Sequence, residues 1–195
     1  MRYSTVSNDG RLIAIAGRKG LIHYSSTSGR WKLFSDEVQE QAFSVRGGLL
    51  WFHHVLIAAV EVARSYQVHI PNAYCYFFAH SPLPLFAFQI RLYSRDSELS
   101  NRNVLFREVL TAPVVIMSLV DNSLLVYAAD NSLSHYLITP TDDSIKLHLC
   151  GSITFDGIIV SPSAVRMLSW MIPPAQKRKT TEGYFSHRSL NIFLC

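Results

Sequence analysis

Eight histidines and three cysteines are the residues with the most obvious chemical capacity in this 195-residue chain. Metal binding would need several of them at ligand spacing, and the sequence has no HExxH, HxH, CxxC or mixed Cys/His cluster. His23 and His135 precede Tyr24 and Tyr136 at matching points of two similar segments, which reads as a repeated packing or hydrogen-bonding role. His53 and His54 are adjacent, so on a strand they would point to opposite faces and could not share an ion. Nucleophilic catalysis fares no better: there is no GxSxG elbow, and Cys75, Cys150 and Cys195 stand alone. The stretch GRKG at Gly17–Gly20 lacks the GxxxxGK[ST] spacing of a phosphate loop and lies between two apolar runs, so it predicts a β-turn with Arg18 and Lys19 at its tip. No catalytic, cofactor or metal residues emerge. The expected chemistry is recognition, with the charged turns Arg18-Lys19, Arg30 and Arg95-Asp96 as candidate partner contacts.

The composition agrees with a packed domain that is neither disordered nor collagenous. Apolar residues make up 49% of the chain and charged ones 16%, enough to bury a core. Much of the formal charge of +4 lies beyond Gln176, which leaves the body nearly neutral and gives no sign of a nucleic-acid binder. An odd number of unpatterned cysteines argues against a disulfide framework and for a reducing compartment. The first ten residues are polar and predict no secretory leader. The window Tyr66–Ile90 is uncharged, yet Pro71, Pro82 and Pro84 would break a membrane-spanning helix there.

Positioning elements come from an internal repeat. Asp9–Tyr24, DGRLIAIAGRKGLIHY, superposes without a gap on Asp121–Tyr136, DNSLLVYAADNSLSHY, at a constant offset of 112 residues. Each copy reads as strand, turn, strand. A third copy, LLWFHHVLIAAV, places Leu56 in the role of Leu12 and Leu124. The predicted fold is all-β: an incomplete WD40-like β-propeller of about three four-stranded meander blades plus the start of a fourth. Blades are expected at about 2–34, 43–110 and 112–156, with Gly47-Gly48 as a tight turn, an unfinished unit at 157–173 and an irregular basic tail at 177–195. Lys177, Arg178 and Lys179 are too few for a typical nuclear-localisation cluster and read as solvated tail. The repeat spacing is 44 residues from Leu12 to Leu56 but 68 from Leu56 to Leu124. The surplus is Val68–Phe88, rich in Phe, Ser, Pro and Leu; it reads either as a long inter-strand loop or as translated intron, since those codons are pyrimidine-rich.

The ordered series RLIAIAGRKGLIHYS, GRWKLF, VRGGLLW, IRLYSRDSELSN, VLFREVL and GIIVSPSAVRMLSW resembles consecutive pieces of the ribosome control protein one family, over about Arg2–Gln176 apart from Val68–Phe88. That resemblance implies a much larger protein with N-terminal β-propellers and a C-terminal helical region. It implies pairing with an Rgp-type partner subunit to form a guanine-nucleotide exchange factor for a Golgi Rab GTPase. The location implied is the cytoplasm and the cytosolic face of the Golgi membrane, reached peripherally through the complex, and the process is retrograde endosome-to-Golgi transport. It supplies no catalytic residue, so this chain would be a non-catalytic binding subunit. The rival reading is a generic WD40-like scaffold of cytoplasm or nucleus, although no GH or WD dipeptide is present.

Overall fold

A computed structural model describes residues 2–63, 86–141, 144–156, 161–171 and 189–194. Three four-stranded antiparallel sheets follow one another along the chain. The first, blade 1, is β1 (Tyr3–Val6), β2 (Leu12–Ala16), β3 (Leu21–Ser25) and β4 (Arg30–Lys32). Asp36 caps a five-residue helix, α1 (Glu37–Gln41), by accepting from Val38 N at 2.9 Å, and this helix leads into blade 2. Blade 2 consists of β5 (Phe43–Phe52), β6 (Val55–Ala63), β7 (Phe86–Ser94) and β8 (Val104–Leu110). Blade 3 consists of β9 (Val114–Val120), β10 (Ser123–Ala128), β11 (Ser132–Pro140) and β12 (Ile145–Thr154). Each is a meander in sequence order, as neighbouring antiparallel strands with short turns require.

The first strands β1, β5 and β9 pack side by side, and β9 packs in turn on β13 (Val165–Met171). A row of innermost strands from successive sheets is the arrangement of a β-propeller. Between the sheets the core is continuous. Leu12, Ala14 and Ala16 meet Phe43, Val45 and Leu56 at the first seam. Ile57, Ala59 and Leu92 meet Leu124, Val126 and Tyr136 at the second, and Leu125 and Tyr127 meet Val165 and Leu168 at the third. Strands β6 and β10 therefore bury both faces, which is why β6 reads VLIAAV without polar alternation. The outer face of blade 1, with Ile13, Ile15, Ile22 and Tyr24, stays partly exposed, and Trp31 there is 48% exposed.

Several sequence expectations shift in register. Leu12, Leu56 and Leu124 do fall in the second strand of each blade and are all buried. Leu56 and Leu124 face the preceding blade, however, whereas Leu12 faces the following one. Pairing shows the slip: Ala14 lies opposite His23 and Leu125 opposite His135, so the counterpart of Leu124 is Ile13. The hairpin turn of blade 3 is one residue longer. Because both faces of these strands are apolar, a gapless superposition looks equally good one residue out of step. The histidines and tyrosines after the turn are true counterparts.

Gly47 and Gly48 are not a tight turn. They belong to a bulge within β5, where Arg46–Gly48 stand opposite the single residue Ala59. Gly47 has φ +93, which a glycine adopts without strain. His53 and His54 are not on a strand but form the two-residue turn between β5 and β6, with His53 at φ 51. Strand β7 begins earlier than a surplus ending at Phe88 allows: Phe86, Ala87 and Phe88 pair with Ala63, Val62 and Glu61. The rest of that stretch, 68–85, lies outside the described residues. The tail is not irregular throughout, since β14 (Ser189–Leu194) pairs antiparallel with β13, and the alternation in SLNIFL suits it for a strand. No helix among the described residues is long and apolar enough to cross a membrane.

Candidate functional site

Antiparallel alternation sends the β1–β2, β5–β6 and β9–β10 turns to one end of the sheets, together with the β3–β4, β7–β8 and β11–β12 connections. These turns converge. A cavity of about 380 Å³ is walled by Asn8 after β1, His53 after β5, and Asp121 and Asn122 after β9. A second, of about 280 Å³, opens between blades 1 and 2 beside Leu12, Trp51, His54 and Arg95. A third, of about 480 Å³, lies between blades 2 and 3 against Phe52, His54, Leu105 and Pro140. The His53-His54 turn borders all three.

The β7–β8 connection, Arg95–Asn103, dominates this rim because it is held from every side. Lys32 Nζ donates to the carbonyl oxygens of Arg95, Asp96 and Ser97 at 2.7, 2.6 and 3.1 Å. An ammonium has three N–H donors in a tetrahedral fan, which matches three converging carbonyls. Asn101 anchors the other end: its N donates to Gln39 Oε1 at 2.8 Å, its Oδ1 accepts from Arg91 at 2.9 Å, and its carbonyl accepts from Arg107. Arg91 is buried, with its guanidinium 5.2 Å from the centre of the Phe43 ring and its Nε bonded to Gln89. Arg95 N donates to His54 O at 2.8 Å, tying the connection to the histidine turn. Such a loop holds its charged side chains in fixed positions on a rigid scaffold.

The sequence-predicted contact residues divide between two ends. Arg30, at the start of β4, and Arg95 and Asp96, in the β7–β8 connection, share this rim, and Arg95 Nε pairs with Asp96 Oδ1 at 3.0 Å. Arg18 and Lys19 are exposed in the β2–β3 turn at the opposite end. Lys32, Arg91 and the histidine turn escape a sequence reading. Lys32 and Arg91 look like ordinary strand residues there, and their partners are 63 and 10 residues away. Trp51 packs at the first seam, whereas Trp31 sits on the outer face of blade 1 and stacks obliquely on Tyr24 at 5.1 Å. Among the described residues no group of three or more His, Cys, Asp or Glu is placed to hold a metal ion.

The three-carbonyl clamp gives a direct prediction. Replacing Lys32 with Met keeps the stem and removes the donors, leaving three carbonyls in search of water. The expected cost is about 1–3 kcal/mol, with amide exchange over Arg95–Asn103 accelerated at least about tenfold in a mass-spectrometric time course. Arg at this position does not restore protection, because a planar fork cannot serve three convergent oxygens. Unchanged exchange in the Met variant would remove the clamp from the account.

Comparison with known proteins places these features in a family. The family model described as the RIC1 second beta propeller domain matches residues 1–194. The guanine nucleotide exchange factor subunit ric1 of Schizosaccharomyces pombe is 30% identical over 175 residues, covering 89% of this chain and 14% of that protein. The RIC1 subunits of Mus musculus and Homo sapiens are 30% and 29% identical over 145 residues, covering 73% of this chain and 9% of each. The chain thus spans a small part of the length of the relatives it matches. A solved β-propeller domain, Cps50 (Swd1) from Myceliophteria thermophila, covers 78% of this chain and is itself covered to 59%, at 14% identity and a TM-score of 0.32.

Proposed function

This chain belongs to the RIC1 second β-propeller domain family, and from that premise we propose that it is a propeller piece of a guanine-nucleotide exchange factor complex, acting by protein–protein binding and not by covalent chemistry. In the finer form of this reading it works with an Rgp-type partner subunit on a Golgi Rab GTPase, at the cytosolic face of the Golgi membrane, in retrograde endosome-to-Golgi transport. The match of the family model over residues 1–194 carries the proposal. The rigid rim supports it, since a non-catalytic subunit needs a preorganised surface and this chain builds one around Arg95–Asn103.

Exchange by binding needs a surface with higher affinity for the nucleotide-free GTPase than for the loaded form, because only differential affinity moves the equilibrium towards GDP release. The propeller's part in that scheme is to hold its partners in register. The test is capture by the tagged chain of the purified Rgp-type subunit and of the Rab GTPase, with GDP present or with nucleotide stripped. Retention of the partner subunit, and of the GTPase preferentially when stripped, is the expected result. Capture of neither would overturn the proposal.

A further inference from the structure

At the cleft between blades 1 and 2, Arg30 and Arg95 keep donors that no described carboxylate accepts. Two acids beside this cleft, Asp9 and Asp96, are already engaged. Asp9 accepts from Ser7 Oγ at 2.5 Å and from Arg11 N at 3.1 Å, with Arg11 Nε at 4.0 Å. Asp96 is paired with Arg95 through Nε, which leaves the two terminal nitrogens of Arg95 without a partner among the described residues. Arg30 pairs with no carboxylate among the described residues. Arg30 also sits in the cross-strand row Leu12, Ser25, Arg30, whose inner member, Leu12, walls the cleft. His53 and His54 line the same cleft, and Leu12 and Trp51 give it an apolar wall.

Arg30 and the two open nitrogens of Arg95 beside an apolar wall, next to carboxylates whose hydrogen-bonding oxygens are already in use, are complementary to a carboxylate on a short methylene stem. We infer that the blade 1–blade 2 cleft receives an aspartate or glutamate side chain from an acidic segment of a partner protein, with Arg30 and Arg95 as its charge-bearing contacts. The apolar wall fits the stem and the guanidinium fork fits the carboxylate in bidentate fashion. A recessed space of about 280 Å³ between two blades suits an inserted side chain better than the plane of a membrane surface. This inference rests on the reading of the chain as a binding subunit and specifies the chemistry of what it binds.

The experiment immobilises the full chain at low density on a sensor surface and flows over it poly-L-glutamate about 20 residues long, at rising ionic strength. Binding that weakens with salt is expected. The paired change Arg30→Ser with Arg95→Ser should lower affinity at least about tenfold, while Arg18→Ser with Lys19→Ser, which removes equal charge from the opposite end, should change it less than about twofold. Equal losses in the two pairs would reduce the effect to net charge and overturn the inference. So would absence of binding, or retention of phosphatidylserine vesicles by a surface that ignores poly-glutamate. Partner capture that persists without poly-glutamate binding sinks this inference alone. Poly-glutamate binding specific to Arg30 and Arg95 in a chain that captures no partner upholds the cleft and sinks the exchange-factor reading.

Discussion

Replacing Gly47 with alanine should remove about 3–5 kcal/mol of stability and leave little folded chain, a loss read in a urea titration followed by tryptophan fluorescence. Two costs add. At φ +93 an alanine must adopt a backbone conformation that L-residues avoid, at about 1–2 kcal/mol. Its Cβ would also run into the carbonyl oxygen of Val114 and stand 2.5 Å from Val114 Cγ1. Relief demands movement of the backbone of β9, the innermost strand of the next blade, and close-packed seams do not yield continuously. The same bulge ties down blade 1, since Gly47 N donates to the Tyr3 hydroxyl at 3.0 Å. One residue therefore braces three successive inner strands. Gly10 provides the comparison: it has φ +71 but no atom of the described residues within 4 Å of an added Cβ, so Gly10→Ala should cost only about 1 kcal/mol of strain. Equal losses at the two positions would show that close approach to β9 contributes nothing.

That bulge marks where sequence patterning stops being informative. Apolar runs and turn residues at a fixed repeat reveal the meanders because each blade closes its own hydrogen bonds through local contacts, as in the matched hairpins of β2–β3 and β10–β11. What the repeat does not reveal is which face of a strand meets which neighbour. With Leu124 and Leu125 both buried, parity carries no polar mark, and the equivalence of Leu12 slides by one residue. Paired glycines have two common uses, turn and bulge, and only the approach of Val114 separates them. At the rim, turn charges such as Arg30, Arg95 and Asp96 are legible from turn chemistry alone. The residues that hold them in place are not. Lys32 acts through carbonyls on a different blade, and Arg91 lies under Phe43 where sequence alternation offers no hint of a hydrogen-bonded guanidinium.

The His23 imidazole should make the first seam acid-labile, with stability falling by about 2 kcal/mol between pH 6.5 and pH 4. His23 is 1% exposed, its ring stands edge-on to Trp51 at 5.7 Å, and neither of its nitrogens has a hydrogen-bond partner among the described residues. Burial first, and the ammonium of Lys32 second, push its pKa from 6.5 down to about 4, with Asp96 opposing weakly. The sign follows from proton uptake. The unfolded chain protonates this histidine near pH 6.5, before the folded chain does, so this contribution is complete above 6.5 and is lost as the pH falls through 4. At about 1.4 kcal/mol per pH unit the ceiling is near 3 kcal/mol, and solvent screening at the mouth of the seam brings the expectation down to about 2. Asp9 and Asp36 add their own acid sensitivity, but hydrogen bonds from Ser7 and Gln39 hold their carboxyls below 3.8, so their contribution disappears only under the histidine window. His23→Leu should flatten the profile of urea midpoints between pH 6.5 and 4 while leaving the steeper decline below it. At pH 7 the variant should be at least as stable as the parent, because it removes two buried nitrogens that lack partners among the described residues. A leucine variant with the parent's slope across that window would show that protonation of His23 does not open the seam.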